Sequence, residues 1–185
     1  MIISDQQREE NYQEYLRLIN NPEYEDVTFD EKSGGVSAVH KDHKIDKQIG
    51  VYGCPRGDYE RTVIRILRTL GHRVVLESEK SQENTKNCDG FLNDSKMDIK
   101  AVESTGQWSI STKLREAEKQ GAKVVVLFFP NATFYTKERV IDGIEKYETN
   151  PRVSGKGIID ACVVIVSDQI VDYYQKTTTP SAGWF

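Results

Sequence analysis

The chain has 185 residues, of which 37% are hydrophobic and 29% charged, and its net charge is −4. This length allows one well-buried core and excludes two ordinary domains. The charge argues against a protein that holds nucleic acid by bulk electrostatics alone. The three cysteines form no CxxC pair, which predicts a reducing, cytoplasmic compartment. Neither a signal peptide nor an apolar run of roughly 18 residues is seen, so no membrane association is expected.

The first 57 residues are predicted to form a helix and a β-hairpin. Ser4 and Gln7 make a capping box for an amphipathic helix over residues 5–19. Two short β-rich runs, at 27–29 and 36–39, flank a Gly-containing turn and predict the hairpin. The polar stretch from residue 40 to 57 is expected to be a loop.

Residues 58–129 are predicted to follow the order α-β-β-β-α-β. Asp58 is a good N-cap and Gly71 a good C′ residue for the first helix. The run at 123–129 is continuously apolar, as in a strand covered on both faces. The remaining expected elements are strands at 73–78, 88–92 and 96–102, a polar loop at 79–87, a turn at 93–95 and a helix at 109–120.

An α-β-β extension is expected to complete the chain, with a helix at 137–147, strands at 157–166 and near 169–174, and a frayed tail at 176–185. The sequence thus predicts a single α/β (α+β) domain over residues 1–185. Its core is 58–129, with extensions at 1–57 and 130–185.

Two carboxylates and an amine are the strongest candidates for chemistry. Asp98 and Lys100 share one face of a strand, because side chains two positions apart point the same way, and Met97, Ile99 and Ala101 point the other way. Asp89 lies on the preceding strand, near Asp98 if the two strands pair. Carboxylates bind hard cations such as Mg²⁺ or Mn²⁺ through oxygen, and a lysine can position or deprotonate an attacking water. A solvated cross-strand ion pair is the competing interpretation.

Glu60 is a further candidate metal ligand. It falls in the middle of the apolar stripe of its helix, where a carboxylate is costly unless it is paired or bound to metal. A favourable interaction with the helix dipole is the alternative.

Basic side chains near these positions are candidates for binding substrate phosphates. Arg61 and Arg65 lie on one flank of the first core helix, and Lys113 lies on the second. A solvated helix face is the competing interpretation for each of them. Trp108 could stack on a base or pack in the core.

With Asp89-Gly90 followed by Asp98-Ile99-Lys100 in this order of elements, the chain resembles the PD-(D/E)xK nuclease superfamily over residues 58–129. The resemblance implies a restriction-endonuclease-like fold and metal-dependent hydrolysis of DNA or RNA. Asp89 and Asp98 would be metal ligands, Lys100 the catalytic lysine, and Glu60 the extra first-helix glutamate of some members. Cys88 stands where the family has proline, and Asp98 replaces the commoner glutamate.

The run from Gly71 to Phe129 is also similar to C-terminal nuclease domains of contact-dependent growth inhibition and mobile-element toxins. That resemblance implies a tRNA substrate and a cognate immunity protein as partner. It also leaves open a metal-independent ribonuclease of the barnase/EndoU/colicin/RelE type, in which Lys100 and Thr112 would act. A non-catalytic binding module that keeps the fold is the third alternative.

Overall fold

A computed structural model describes residues 3–43, 48–50, 53–78, 88–149 and 159–175. The expected loop at 79–87, part of the 40–57 loop and the tail at 176–185 lie outside the described residues. Within these ranges the chain is a mixed α/β protein with four α-helices and one eight-stranded sheet. The helices are α1 (Asp5–Ile19), α2 (Gly57–Thr69), α3 (Ser109–Lys119) and α4 (Lys137–Thr149).

The strands lie in the sheet in the same order as in the chain. The pairs β2–β3, β5–β6 and β6–β7 are parallel, and the other four are antiparallel. Strands from both terminal extensions therefore join the core strands in one sheet. The strands are β1 (Tyr24–Phe29), β2 (Val36–His40), β3 (Arg73–Leu76), β4 (Gly90–Leu92), β5 (Ser95–Ala101), β6 (Val124–Phe129), β7 (Ala161–Val166) and β8 (Gln169–Gln175).

Hydrophobic side chains cover the two faces of the sheet separately. On one face, α2 packs Val63 and Leu67 against Val126 of β6. On the other, α3 packs Leu114 against Leu127 of β6. Every residue of β6 is buried, which confirms the prediction of a strand covered on both faces. None of the helices in the described ranges is long and apolar enough to cross a membrane.

Local signals explain where most elements begin and end. The Ser4 side chain accepts the Gln7 amide at 3.1 Å, so α1 begins at its predicted residue. A two-residue turn joins β4 to β5, and both Asn93 and Asp94 have positive φ, the geometry of a type I′ turn. The helix α2 begins at Gly57 rather than after an Asp58 N-cap. Its entry is tightened by hydrogen bonds from the Asp58 and Tyr59 amides to carbonyls three residues earlier.

Three strands are at least two residues shorter than predicted. The strand β3 ends at Leu76 rather than at residue 78. The strand β4 begins at Gly90 rather than Cys88, because the Asp89 side chain takes over the next contact with β5. The strand β7 begins at Ala161, and residues 159–160 precede it without strand structure. Residues 157–158 lie outside the described ranges.

Candidate active site

The short strand β4 leaves part of β5 exposed as an edge. The two strands pair only from Ser95 to Met97, and beyond Met97 this edge has no strand partner among the described residues. The Asp89 carboxylate lies at that point. Its Oδ2 accepts the Ile99 amide at 2.6 Å, where a continued β4 would have offered a carbonyl oxygen. The free edge of β5 is therefore closed by a carboxylate.

Asp98 projects from the face of the sheet that α3 covers. Its neighbours Ile99 and Ala101 pack with the core on the α2 side, as predicted from strand alternation. The Asp98 side chain is fully buried, and its Oδ2 lies 2.7 Å from Nζ of Lys100. Neither oxygen accepts a hydrogen bond of good geometry from a described residue, and Oδ1 lacks an ion-pair partner among them as well. A buried carboxylate with one unpartnered oxygen is unusual unless a ligand or cation completes it.

The carboxyl groups of Asp89 and Asp98 are close enough to share a proton. Burial raises the pKa of Asp98 to about 8, and the negative charge of Asp89 adds to this rise while Lys100 opposes it. Burial also raises the pKa of Asp89. Two carboxylates that repel each other in a dry site favour either a shared proton or a bound cation.

Lys100 is held in place from two sides. Its ammonium contacts Asp98 and donates a hydrogen bond to Oε1 of Gln120, at the C-terminus of α3, at 2.6 Å. Only 13% of the side chain is exposed. The exposed part reaches an open cleft of about 460 Å³. The cleft lies around the free edge of β5, so side chains of α2, β5 and α3 all line it.

Glu60 lines the same cleft from the α2 side. It therefore reaches the site from the face of the sheet opposite to Asp98. Its Oε2 accepts a hydrogen bond from Nε2 of His43 at 3.1 Å, and 17% of its side chain is exposed. Its negative charge contributes to the raised pKa of Asp89, so the two carboxylates interact across the edge.

His43 is the residue that sequence reasoning missed. Its ring is buried, with Nε2 facing Glu60 and Nδ1 facing the Glu77 carbonyl at 2.9 Å. The Glu60 carboxylate oxygen and the Glu77 carbonyl oxygen can only accept hydrogen bonds. An imidazolium that carries a proton on each ring nitrogen therefore satisfies both contacts. Although burial lowers the pKa of His43, hydrogen bonds to Glu60 and Glu77 outweigh it and raise the pKa to about 9. The sequence signal was weak, since His40 and His43 form an H-x-x-H pair in a polar loop with no third metal ligand evident.

The predicted phosphate-binding residues are placed differently from one another. Lys113 lines the cleft and lies 3.3 Å from Glu116. Arg61 is exposed, 3.9 Å from Asp58, and Arg65 is also exposed on α2. Thr112 lines a neighbouring groove, and its hydroxyl oxygen lies 3.5 Å from a guanidinium nitrogen of Arg115.

A second ion pair closes one side of the cleft. Arg56 lies 2.5 Å from Glu103, which also accepts a hydrogen bond from the Tyr59 hydroxyl at 3.2 Å. This pair ties the segment after β5 to the start of α2. The negative charge of Glu103 is thereby balanced, whereas the two carboxyl groups of Asp89 and Asp98 have the single ammonium of Lys100 close to them.

We compared the chain with known protein families, curated proteins and solved structures. The chain matches no protein-family model, no curated protein and no solved structure.

Proposed function

We propose that the chain is a divalent-metal-dependent nuclease that hydrolyses phosphodiester bonds at the free edge of β5. The observation that carries the proposal is the fully buried Asp98, which lies beside the Asp89 carboxyl and 2.7 Å from the Lys100 ammonium. The order of elements supports it. Strands β3, β4 and β5 form an antiparallel meander, and α3 leads to the parallel β6. This order is compatible with the proposed restriction-endonuclease-like core.

Asp89 and Asp98 fit Mg²⁺ or Mn²⁺ as ligands. The unpartnered Oδ1 of Asp98 offers a hard oxygen donor, and the mutual repulsion of the two carboxyls would be relieved by a cation. Within the described residues, no group of three or more His, Cys, Asp or Glu side chains is arranged to hold a metal. Mg²⁺ commonly binds through one or two carboxylates and keeps several waters, so two aspartates suffice. Glu60 lines the cleft from the α2 side but is not grouped with the two aspartates, so its proposed role as a further ligand would require its side chain to move toward them.

A cation bound there would polarise the scissile phosphate and lower the pKa of a bound water. Lys100 is proposed to orient the attacking water and to offset negative charge that develops on the phosphate. Gln120 and Asp98 fix its ammonium, so little reorganisation is needed. His43 holds Glu60 in position through a charge-assisted hydrogen bond.

The test is a cleavage assay on plasmid DNA, single-stranded DNA and total tRNA, with Mg²⁺ or with EDTA. Cleavage is expected only with metal, and Lys100→Ala should reduce it at least about 100-fold, the usual loss when a positioned acid–base group is removed. Lys96→Ala is the matched control, since Lys96 is exposed on the same strand.

Three results would contradict the proposal. Cleavage in EDTA would favour the metal-independent ribonuclease that uses Lys100 and Thr112. Equal activity of the Lys100 and Lys96 variants would remove Lys100 from the mechanism. No cleavage of any substrate would favour a binding module. A toxin role, a cytoplasmic site of action and an immunity partner stay predictions.

A further inference from the structure

A second groove, the Trp108 groove, continues from the proposed cleavage site. It has a volume of about 470 Å³ and is lined by the segment that joins β5 to α3 and by the first turns of α3. It shares Ala101, Glu103, Ser104, Lys113 and Glu116 with the cleft at the edge of β5. A chain molecule that occupies the cleft can therefore extend directly into this groove.

Trp108 lines the groove, and its indole is exposed to solvent rather than packed in the core. Half of the residue, 51%, is exposed, which is unusual for so large an apolar side chain. The ammonium of Lys146 lies 4.9 Å from the ring centroid and also donates to the Gln107 carbonyl. The ring is thus supported from α4 while a large part of it remains accessible. A supported and exposed aromatic ring is a stacking platform.

Three of the cations near the groove are already paired with acids. Lys113 lies 3.3 Å from Glu116, Arg56 2.5 Å from Glu103, and Lys146 2.6 Å from Asp142. A polyanion would gain little here from counterion release, in keeping with the net charge of −4. Affinity for a nucleic acid must then come mainly from contacts with its bases.

From these observations, and resting on the proposed nuclease function, we infer that the Trp108 groove binds an unpaired nucleobase by stacking on Trp108. The substrate is accordingly a single strand or an unpaired segment rather than a duplex. In a duplex the faces of the bases are already stacked, so the indole cannot reach them without base flipping.

The test uses short fluorescein-labelled single strands and the matching duplex, in EDTA, read by anisotropy. Trp108→Ala is expected to weaken single-strand binding about tenfold or more, since stacking on an aromatic side chain is worth about 1–3 kcal/mol per base and 1.4 kcal/mol is tenfold. Trp108→Phe should recover much of the loss. In a Trp184→Phe background, where Trp108 is the sole tryptophan, the single strand should quench its fluorescence. The dependence of affinity on salt should be shallow.

Unchanged affinity of Trp108→Ala, or a duplex that binds as tightly as the single strand, would overturn the inference. If that happens while Lys100→Ala still abolishes cleavage, the nuclease proposal stands without the groove. If single strands bind and quench Trp108 but are never cut, the groove stands and the nuclease proposal fails. If no nucleic acid binds or is cut, both fail.

Discussion

Asp98 makes the stability of the protein depend on pH. Its pKa is raised to about 8 in the folded chain, mainly by burial, whereas an aspartate in an unfolded chain titrates near 3.9. Between these values the folded state holds a proton that the unfolded state has released. The free energy of unfolding therefore falls as the pH rises through this window, by at most about 1.4 kcal/mol per pH unit.

Asp98→Asn should flatten this dependence and make the protein more stable than the wild type near pH 8 in metal-free buffer. Urea unfolding at several pH values measures the effect. Asp168→Asn is the control, because Asp168 is exposed in the β7–β8 turn. Equal slopes for the wild type and the Asp98 variant would contradict the burial argument.

His43 makes the stability of the protein depend on pH between about 6.5 and 9. Its folded pKa of about 9 exceeds the unfolded value near 6.5, so its contribution is complete below pH 6.5 and is lost as the pH rises through 9. His43→Gln is expected to cost up to about 3 kcal/mol at pH 6 and much less at pH 10. Thermal unfolding across this range would show it. A variant that is destabilised equally at pH 6 and pH 10 would contradict this expectation.

The strand pattern predicted which residues lie close together at the edge of β5. It did not predict the other side chains that contact them. The two-residue period placed Asp98 and Lys100 on one face, and the turn at Asn93 brought Asp89 opposite Asp98. The sequence shows His43 only in a weak H-x-x-H pair with His40, because its contacts with Glu60 and Glu77 are 17 and 34 residues away. The opposite placement of Glu60 and Asp98 was also hidden, because it depends on which face of the sheet α2 covers.

At the scale of elements, the site depends on how closely β4 approaches β3. A Cβ at Gly90 would lie 2.0 Å from the Val75 carbonyl oxygen and 2.8 Å from Cα of Leu76, both backbone atoms that cannot rotate away. Gly90 is therefore required by the pairing of β3 with β4, directly beside Asp89.

Gly90→Ala is expected to destabilise the protein by about 1–3 kcal/mol and to reduce cleavage, because β4 must shift and carry Asp89 with it. Chemical denaturation and the cleavage assay measure the two effects. At Gly106 the nearest atom to an added Cβ is 3.9 Å away, so Gly106→Ala is a stability control. A Gly90 variant as stable as the control would show that β4 can adjust.

Element order was easier to predict than element ends. Capping and periodicity are local, so α1 and the fully apolar β6 were predicted closely. The start of β4 was not, because the whole segment at 88–92 looks like a short strand. Only the tertiary contact between Asp89 and the Ile99 amide ends the pairing there.

For the whole molecule, metal binding and folding are coupled. A cation that binds only the folded protein stabilises it by about 2.7 kcal/mol at a concentration 100 times its Kd, which corresponds to roughly 5–10 °C in Tm for a chain of this size. Mg²⁺ or Mn²⁺ should therefore raise Tm in the wild type but not in Asp98→Asn. Asp168→Asn should respond like the wild type. An equal shift in all three proteins would place the ion elsewhere.

The whole sheet could be predicted only in part. The α-β-β-β-α-β order was visible in the sequence, but the parallel pairing of β2 with β3, which joins the N-terminal hairpin to the core, was not. Parallel pairing is long-range and leaves no turn signature between the two strands.

Asp89 has two roles, and together they restrict which residues can replace it as the sequence diverges. Its carboxylate would bind the cation and also completes the hydrogen-bond ladder of β5 through the Ile99 amide. A descendant that had lost cleavage could replace Lys100 together with Asp98, since the two side chains pair with each other. It would still need an acceptor at position 89, which Asp or Asn supplies. Among diverged relatives, position 89 should therefore stay Asp or Asn even where position 100 is no longer lysine, and a retained aspartate alone would not mark an active enzyme.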